Sequence, residues 1–346
     1  MGRLRKLFAL GAAVLFALSM AACSSSSGGG GGDGGGSTPD KASLELASHS
    51  SQFMGYHDGT LYYGNFSLDP QEQMEVPGAT KTPFATKQFL FHDGHAYYLE
   101  LPGGTDISLG ALYQADESGE NPVKLADDCE LWSPFFIVGD KLYYTSGDEA
   151  TYTYFTKVID LSDSSHAATE LKTASGSSLY IRDMNEKSIY YSTEDDYYAV
   201  FKANLDMSGE ERLPGDYYIS AHLDDEGDFV AAYYQEPKLE IYPTGGGDAI
   251  VIDTSFDAGF AMVGGTTLYA LDGGTTVSMF DCKTGESLGT FELSNKGINS
   301  LVYVDDECVV YECYDPDWDG NGDNCTIYFQ DRSTGDSTKC GSYFSS

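Results

Sequence analysis

The most specific chemistry in this chain lies in one short stretch, Asp315-Pro-Asp317-Trp-Asp319-Gly320-Asn321-Gly-Asp323. Its carboxylates fall at loop positions 1, 3, 5 and 9, so alternate oxygens turn to one side. Gly320 permits a sharp bend, and Asn321 offers a backbone carbonyl at position 7. Four crowded carboxylates repel one another until a cation neutralises them, and Ca²⁺ accepts such a variable shell of oxygens better than Mg²⁺. One Ca²⁺ held by Asp315, Asp317, Asp319, Asn321 and Asp323 is therefore expected. Position 12 is Thr326 where a bidentate Glu would sit, which predicts a weak, structural site on the order of 10⁻⁴–10⁻³ M.

Cys313 and Cys325 bracket this loop at the ends of two stretches, Val309–Tyr314 and Thr326–Gln330, that read as pairing strands. A disulfide between them is expected to clamp the hairpin. Cys282 and Cys308 form a weaker pair at one rim, and Cys129 and Cys340 have no argued partner. Six such cysteines allow 15 pairings. His92-Asp-Gly-His95 spans a turn and lacks a third ligand, so it reads as turn chemistry rather than a zinc site, as does His57. There is no Gly-x-Ser-x-Gly elbow. Paired carboxylates of glycosidase type cannot be singled out among 54 acidic residues.

The calcium stretch resembles the first three-quarters of an EF-hand loop but has strands rather than helices on either side. It is similar to the Asp-x-Asp-x-Asp-Gly loops of integrin-type propellers. At the other end of the chain, Arg3, Arg5 and Lys6 precede an apolar run, Leu7–Ala22, that ends Ser19-Met-Ala-Ala-Cys23. That pattern resembles the bacterial lipobox, which implies a signal peptide over 1–22, acylation of Cys23 and attachment to a membrane. Ser24 rather than Asp in the next position resembles lipoproteins forwarded to the outer membrane. Residues 23–42 carry a Ser/Gly tract with no core-forming side chains, a flexible tether. The net charge of −35 becomes −38 once the leader's three basic residues are gone (16 − 54). Such a surface repels phosphate backbones, so nucleic acid is excluded as a partner.

The elements that must position these residues repeat along the chain. A turn feeding an aromatic strand recurs at Asp58–Tyr63, Asp93–Tyr98, Gly139–Thr145, Glu186–Tyr191 and Gly264–Tyr269, with weaker copies at Glu226–Ala231 and Asp306–Tyr311. The first apolar residues of these strands fall at 61, 96, 142, 189, 229, 268 and 309, a mean step of (309 − 61)/6, about 41 residues. A period near 40 with strand and turn chemistry predicts propeller blades. The tyrosine pairs read first as packing residues of those blades.

Tyr143-Tyr-Thr-Ser146 and Tyr190-Tyr-Ser-Thr193 resemble YWTD repeats of the low-density-lipoprotein-receptor-type propellers with tyrosine for tryptophan. Leu268–Leu293 resembles a PQQ-type propeller repeat, although Gly289 stands where a docking tryptophan usually sits, so no quinone is expected. The resemblance implies an all-β, seven-bladed propeller of four-stranded antiparallel blades over residues 43–344. The first repeat is short, with only Gln73–Val76 available as a third strand. Leu44–Ala47 and Ser337–Gly341 compete for the outer place of the last blade.

In such a blade, the second-to-third-strand loops and the connections between blades share one face. Trp132, Tyr152, Tyr217, Phe256 and Trp318 map to that face, where exposed aromatics beside polar groups suit a protein or glycan partner. The functional expectation is a non-catalytic binding or scaffolding lipoprotein of the bacterial envelope. A carboxylate-dependent glycan hydrolase or lyase is the alternative.

Overall fold

The computed structural model describes residues 50–65, 74–100, 109–131, 133–148, 153–196, 198–214, 218–224, 226–233, 237–255, 260–314 and 325–342. Its first hairpin joins β1 (Met54–His57) to β2 (Thr60–Tyr63) through Asp58 and Gly59, at φ 49° and 72°. Asp93 and Gly94 repeat the geometry at 48° and 75°. A two-residue hairpin matched to the right-handed twist of its strands needs positive φ at both central positions, which is why Asp-Gly recurs there.

β3 (Thr80–Lys81) runs parallel to β2 and completes a three-stranded sheet. The third strand is thus not Gln73–Val76. Gln73 lies outside the described residues, and the chain from Met74 to Val76 is drawn to the opposite end of the sequence. There the Glu75 N–H donates to the Cys340 carbonyl at 3.0 Å, and Met74 and Val76 are buried in the core.

β4 (Thr86–His92), β5 (His95–Glu100), β6 (Leu109–Asp116) and β7 (Val123–Glu130) form an antiparallel meander. β8 (Phe136–Val138), β9 (Lys141–Asp148), β10 (Thr153–Asp160) and β11 (Thr169–Glu170) form the next, and a bridge from Cys129 to Ser146 merges the two into one eight-stranded sheet. Four separate four-stranded antiparallel sheets follow. They are β12 (Leu179–Met184), β13 (Ser188–Thr193), β14 (Phe201–Asn204) and β15 (Glu211–Arg212); then β16 (Tyr218–Leu223), β17 (Phe229–Tyr233), β18 (Lys238–Tyr242) and β19 (Ile250–Asp253). β20 (Phe260–Gly264), β21 (Thr267–Leu271), β22 (Thr276–Asp281) and β23 (Ser287–Glu292) precede the last set, β24 (Ile298–Val304), β25 (Cys308–Tyr314), β26 (Cys325–Asp331) and β27 (Ser337–Ser342). β27 takes the outer place of the last sheet, and Leu44–Ala47 lies outside the described residues.

The described residues contain no helix. First strands pack on first strands: β12 on β16, β16 on β20, β20 on β24, and β24 on β1. This is the arrangement of a β-propeller, in which each sheet buries both faces against its neighbours. The aromatic second strands supply that packing. Tyr97, Tyr143, Tyr144, Tyr190, Tyr191, Tyr269 and Tyr311 are all buried, and Tyr190 stacks on Phe229 of the next sheet with ring centroids 4.5 Å apart. Polar pegs lock the seams as well. The Gln330 amide donates to the Glu292 carbonyl and accepts from the Ser294 N–H, each at 2.8 Å.

The expected Cys313–Cys325 disulfide is not formed. The register pairs Cys313 with Thr326 and Cys325 with Tyr314, so the pleat sends the two side chains to opposite faces of the sheet. No bridge joins Cys282 to Cys308 either; they pack in different parts of the core. Burial pushes the thiols of Cys313 and Cys340 up to about 12, away from reactive thiolate.

Antiparallel connection gives the molecule two unlike ends. Turns from first to second and from third to fourth strands gather at one, here the turn end. The other, the loop end, receives the second-to-third-strand loops and the connections between sheets.

Candidate binding face at the loop end

The sequence-predicted functional residues fall almost entirely outside the described residues. Cys23, Trp132, Tyr152, Tyr217, Phe256, Trp318 and the whole set Asp315, Asp317, Asp319, Asn321 and Asp323 are among them. The strand ends that hold the calcium stretch are described, with Tyr314 directly opposite Cys325 in the last hairpin. Thr326, at position 12, pairs with Cys313 inside the sheet.

A group of charged residues at the same end escaped the sequence reading. In β4 the register slips between Thr86 and Phe89, so Lys87 and Gln88 together face one residue of β5. Such a bulge re-aims side chains. Thr86 fastens it: its hydroxyl donates to the Leu99 carbonyl at 2.6 Å and accepts the Gln88 N–H at 3.1 Å. Lys87 is half-buried at the loop end, where β4 begins.

Burial lowers the pKa of the Lys87 ammonium, opposed by the charges of Glu312 first and Glu130 further down. Both glutamates are buried. Glu312 lies in β25 and accepts the Ser300 hydroxyl at 2.6 Å and the Asn299 amide at 3.3 Å. Glu130 closes β7. Lys87 and Glu130, from one sheet, and Glu312, from the last, are thus close enough to interact electrostatically at the loop end. An exposed aromatic joins this end: Tyr198, 45% exposed, sits between β13 and β14. Nothing in the sequence marks Lys87, because a one-residue bulge leaves no periodic trace.

The turn end has its own buried charges, and these are spent on backbone. Asp183 accepts the Met184 N–H at 2.7 Å and, across the seam, the Leu223 N–H at 2.8 Å. Asp224 accepts the N–H groups of Glu226 and Asp228 at 3.0 and 2.8 Å, and Asp228 accepts that of Thr244 at 2.7 Å. Burial pushes Asp183 and Asp224 up to about 7 in spite of these donors, and pushes His222 down to about 4. His92 and His95 sit opposite each other across the Asp93–Gly94 turn, with His95 Nδ1 3.0 Å from the Asp93 carbonyl. No group of three metal-ligating side chains occurs among the described residues.

No family model matches the chain, and no curated protein matches it. Among solved structures it is similar to a chain of the mitotic checkpoint complex, with 11% identity and a TM-score of 0.48 over 78% of this chain and 85% of that one. It is also similar to a streptogramin B lyase (12%, 0.46, over 72% and 80%) and to TolB from Acinetobacter baumannii (14%, 0.43, over 72% and 65%).

Proposed function

We propose that this protein is a lipid-anchored binding or scaffolding module of the bacterial envelope, a seven-bladed propeller that engages a protein or glycan through its loop end. The observation that carries the reading is the contrast between the two ends. Turn-end carboxylates are consumed by backbone N–H groups, whereas the charges of Glu312 and Glu130 act on Lys87 at the loop end, the end that also exposes Tyr198. Exposed aromatics beside oriented polar groups suit recognition. Support for seven blades comes from the hairpins β1–β2, β4–β5, β8–β9, β12–β13, β16–β17, β20–β21 and β24–β25, one for each sequence repeat.

Acylated Cys23 would tether the propeller through the Ser/Gly segment, in the outer membrane. Asp315, Asp317, Asp319, Asn321 and Asp323 would hold a structural Ca²⁺ beside the last seam. A second reading, a glycan hydrolase or lyase, draws on the Lys87 ammonium, lowered by burial between two buried glutamates, since perturbed titratable groups cluster at catalytic sites.

The experiment pairs capture from detergent-solubilised envelope with a polysaccharide-turnover screen. Retention of a specific partner by wild type, weakened by Lys87→Met, supports binding. Turnover abolished by Glu312→Gln or Glu130→Gln would establish the enzyme instead. Metabolic labelling with a palmitate analogue should mark the wild type and not Cys23→Ser; equal labelling of both would remove the anchor.

A further inference from the structure

Polar side chains peg the seams between sheets in two ways. Thr156 of β10 accepts the Ile181 N–H of β12 at 3.2 Å through its hydroxyl, and Gln330 of β26 holds the backbone at Glu292 and Ser294 through its amide. Neither peg changes charge with pH. The sheet β16–β19 is held on both flanks by groups that do. On one side, Asp183 of β12 accepts the Leu223 N–H of β16 at 2.8 Å. On the other, the His222 ring is hydrogen-bonded to the Ala261 backbone of β20.

The pleat explains why neighbours on one strand serve opposite seams, because successive side chains leave opposite faces of β16. Leu223 packs with Tyr190 and Leu213 of the preceding sheet. His222 therefore faces the following one, beside Val230, its partner across β16 and β17. Val230 belongs to a core shared with Val263, Leu268 and Cys282 of that next sheet, and Ala261 packs against it. His222 is only 9% exposed, and β20, Phe260–Gly264, carries no ionisable side chain.

The charged groups on the elements around β16 are committed elsewhere. Asp183 and Asp224 each accept two backbone N–H groups, and Asp228 accepts the Thr244 N–H. Arg182 of β12 lies over the Tyr180 ring and donates to the Ser192 hydroxyl at 3.0 Å. Glu226 pairs with Lys283 across the same seam at 3.1 Å, but both are exposed, and such a pair contributes little. Tyr269 of β21 packs on the opposite side, in the core with β24.

An imidazolium at His222 would thus sit in an apolar seam without a counter-charge, so acid must drive the ring toward water. Asp183 answers acid the other way, because its buried carboxyl holds a proton in the folded protein and its contribution is present at low pH. We propose that the seam between β16–β19 and β20–β23 is acid-sensitive: protonation of His222 parts these two sheets at the turn end, while the seam between β12–β15 and β16–β19 stays closed. The His222 contribution is present above pH 6.5 and is lost as pH falls through about 4.

Cys282 reports on this seam, since it is fully buried in the shared core, whereas Cys129 is buried in the core of the eight-stranded sheet. The full chain is treated with a dipyridyl disulfide, which converts each thiol it reaches to a mixed disulfide and releases thiopyridone. Labelling at the two cysteines is followed by peptide mass spectrometry, and their ratio removes the intrinsic effect of pH on thiol reactivity. The ratio of Cys282 to Cys129 rates should rise at least about tenfold between pH 7.5 and pH 5. The rise should vanish in His222→Gln and persist in Asp183→Asn. A ratio that stays constant with pH, or a rise that survives in His222→Gln, overturns the proposal. Loss of the rise in Asp183→Asn would put the sensitive group at the other seam and overturn it as well. Should His222→Gln fail to fold, wild type with ring-labelled histidine decides by NMR. An imidazole titrating near pH 4 beside the rise in the ratio supports the proposal, and a rise without one overturns it.

Discussion

The two ends of this propeller bury charge in different ways. At the turn end, Asp183 and Asp224 are enclosed and each accepts two backbone N–H groups. At the loop end, Lys87 and Glu130 come from one sheet and Glu312 from another, Lys87 re-aimed by a bulge. A carboxylate that satisfies backbone donors belongs to the scaffold, because its loss strands those donors out of reach of water. Charges that act on one another without backbone donors can instead exchange partners with something that arrives. Stability should therefore depend on the first group and recognition on the second.

The largest expected effect is at the seam. Asp183→Ala leaves the Met184 and Leu223 N–H groups without their acceptor, and an unsatisfied buried donor costs about 1–3 kcal/mol. Urea denaturation should show a loss of about 3 kcal/mol. A loss no larger than a typical surface substitution would erase the distinction between the ends.

The pH dependence comes next. Asp183 and Asp224 have folded pKa values raised to about 7 from an ordinary 3.8, so the folded protein holds more protons than the unfolded chain between those limits. Their contribution is fully present below pH 3.8 and is lost as pH rises through 7. His222 acts oppositely: its pKa falls to about 4 from 6.5, so its contribution is present above 6.5 and lost as pH falls through 4. Two groups outweigh one, and stability should decline from pH 5 through 7 and level off by pH 8, once the folded carboxyls have lost their protons. Asp183→Asn should flatten the slope of denaturation midpoint against pH, and His222→Asn should steepen it below 6.5.

How much of this could be read from the residues depends on what leaves a pattern. The hairpins were legible because Asp-Gly turns need positive φ and because second strands, packed on both sides, must be aromatic or branched. The first sheet was misread, since a two-residue parallel strand at Thr80–Lys81 has no period to detect. Nothing in the sequence marks Asp183, and only the tertiary seam shows that it accepts the Leu223 N–H. The cysteine pair failed for a reason of register: a one-residue offset is invisible in sequence but reverses the face of the sheet. Lys87 depends on a bulge, and the bridges from Ser50 to Phe136 and from Gln52 to Phe89 are long-range; spacing reveals neither.

Smaller effects sharpen the comparison from the loop end. Lys87→Met should change stability less than Asp183→Ala does, because methionine keeps most of the apolar stem of a half-buried side chain. The same substitution should weaken partner capture. Urea midpoints set beside capture yields test both halves. Millimolar Ca²⁺ should raise the melting temperature modestly, by about 1.4 kcal/mol of stabilisation at ten times the dissociation constant. Asp317→Ala/Asp319→Ala should abolish that shift in calorimetry; an unchanged shift would make 315–323 an ordinary acidic turn.

The most direct test of recognition at the loop end is in-cell photo-crosslinking from two exposed positions, Glu194 at the loop end and Lys187 at the turn end, each replaced by a photoreactive residue. The account predicts a discrete adduct from position 194, lost in a Lys87→Met background, and none from 187. An adduct from 187 alone would contradict it.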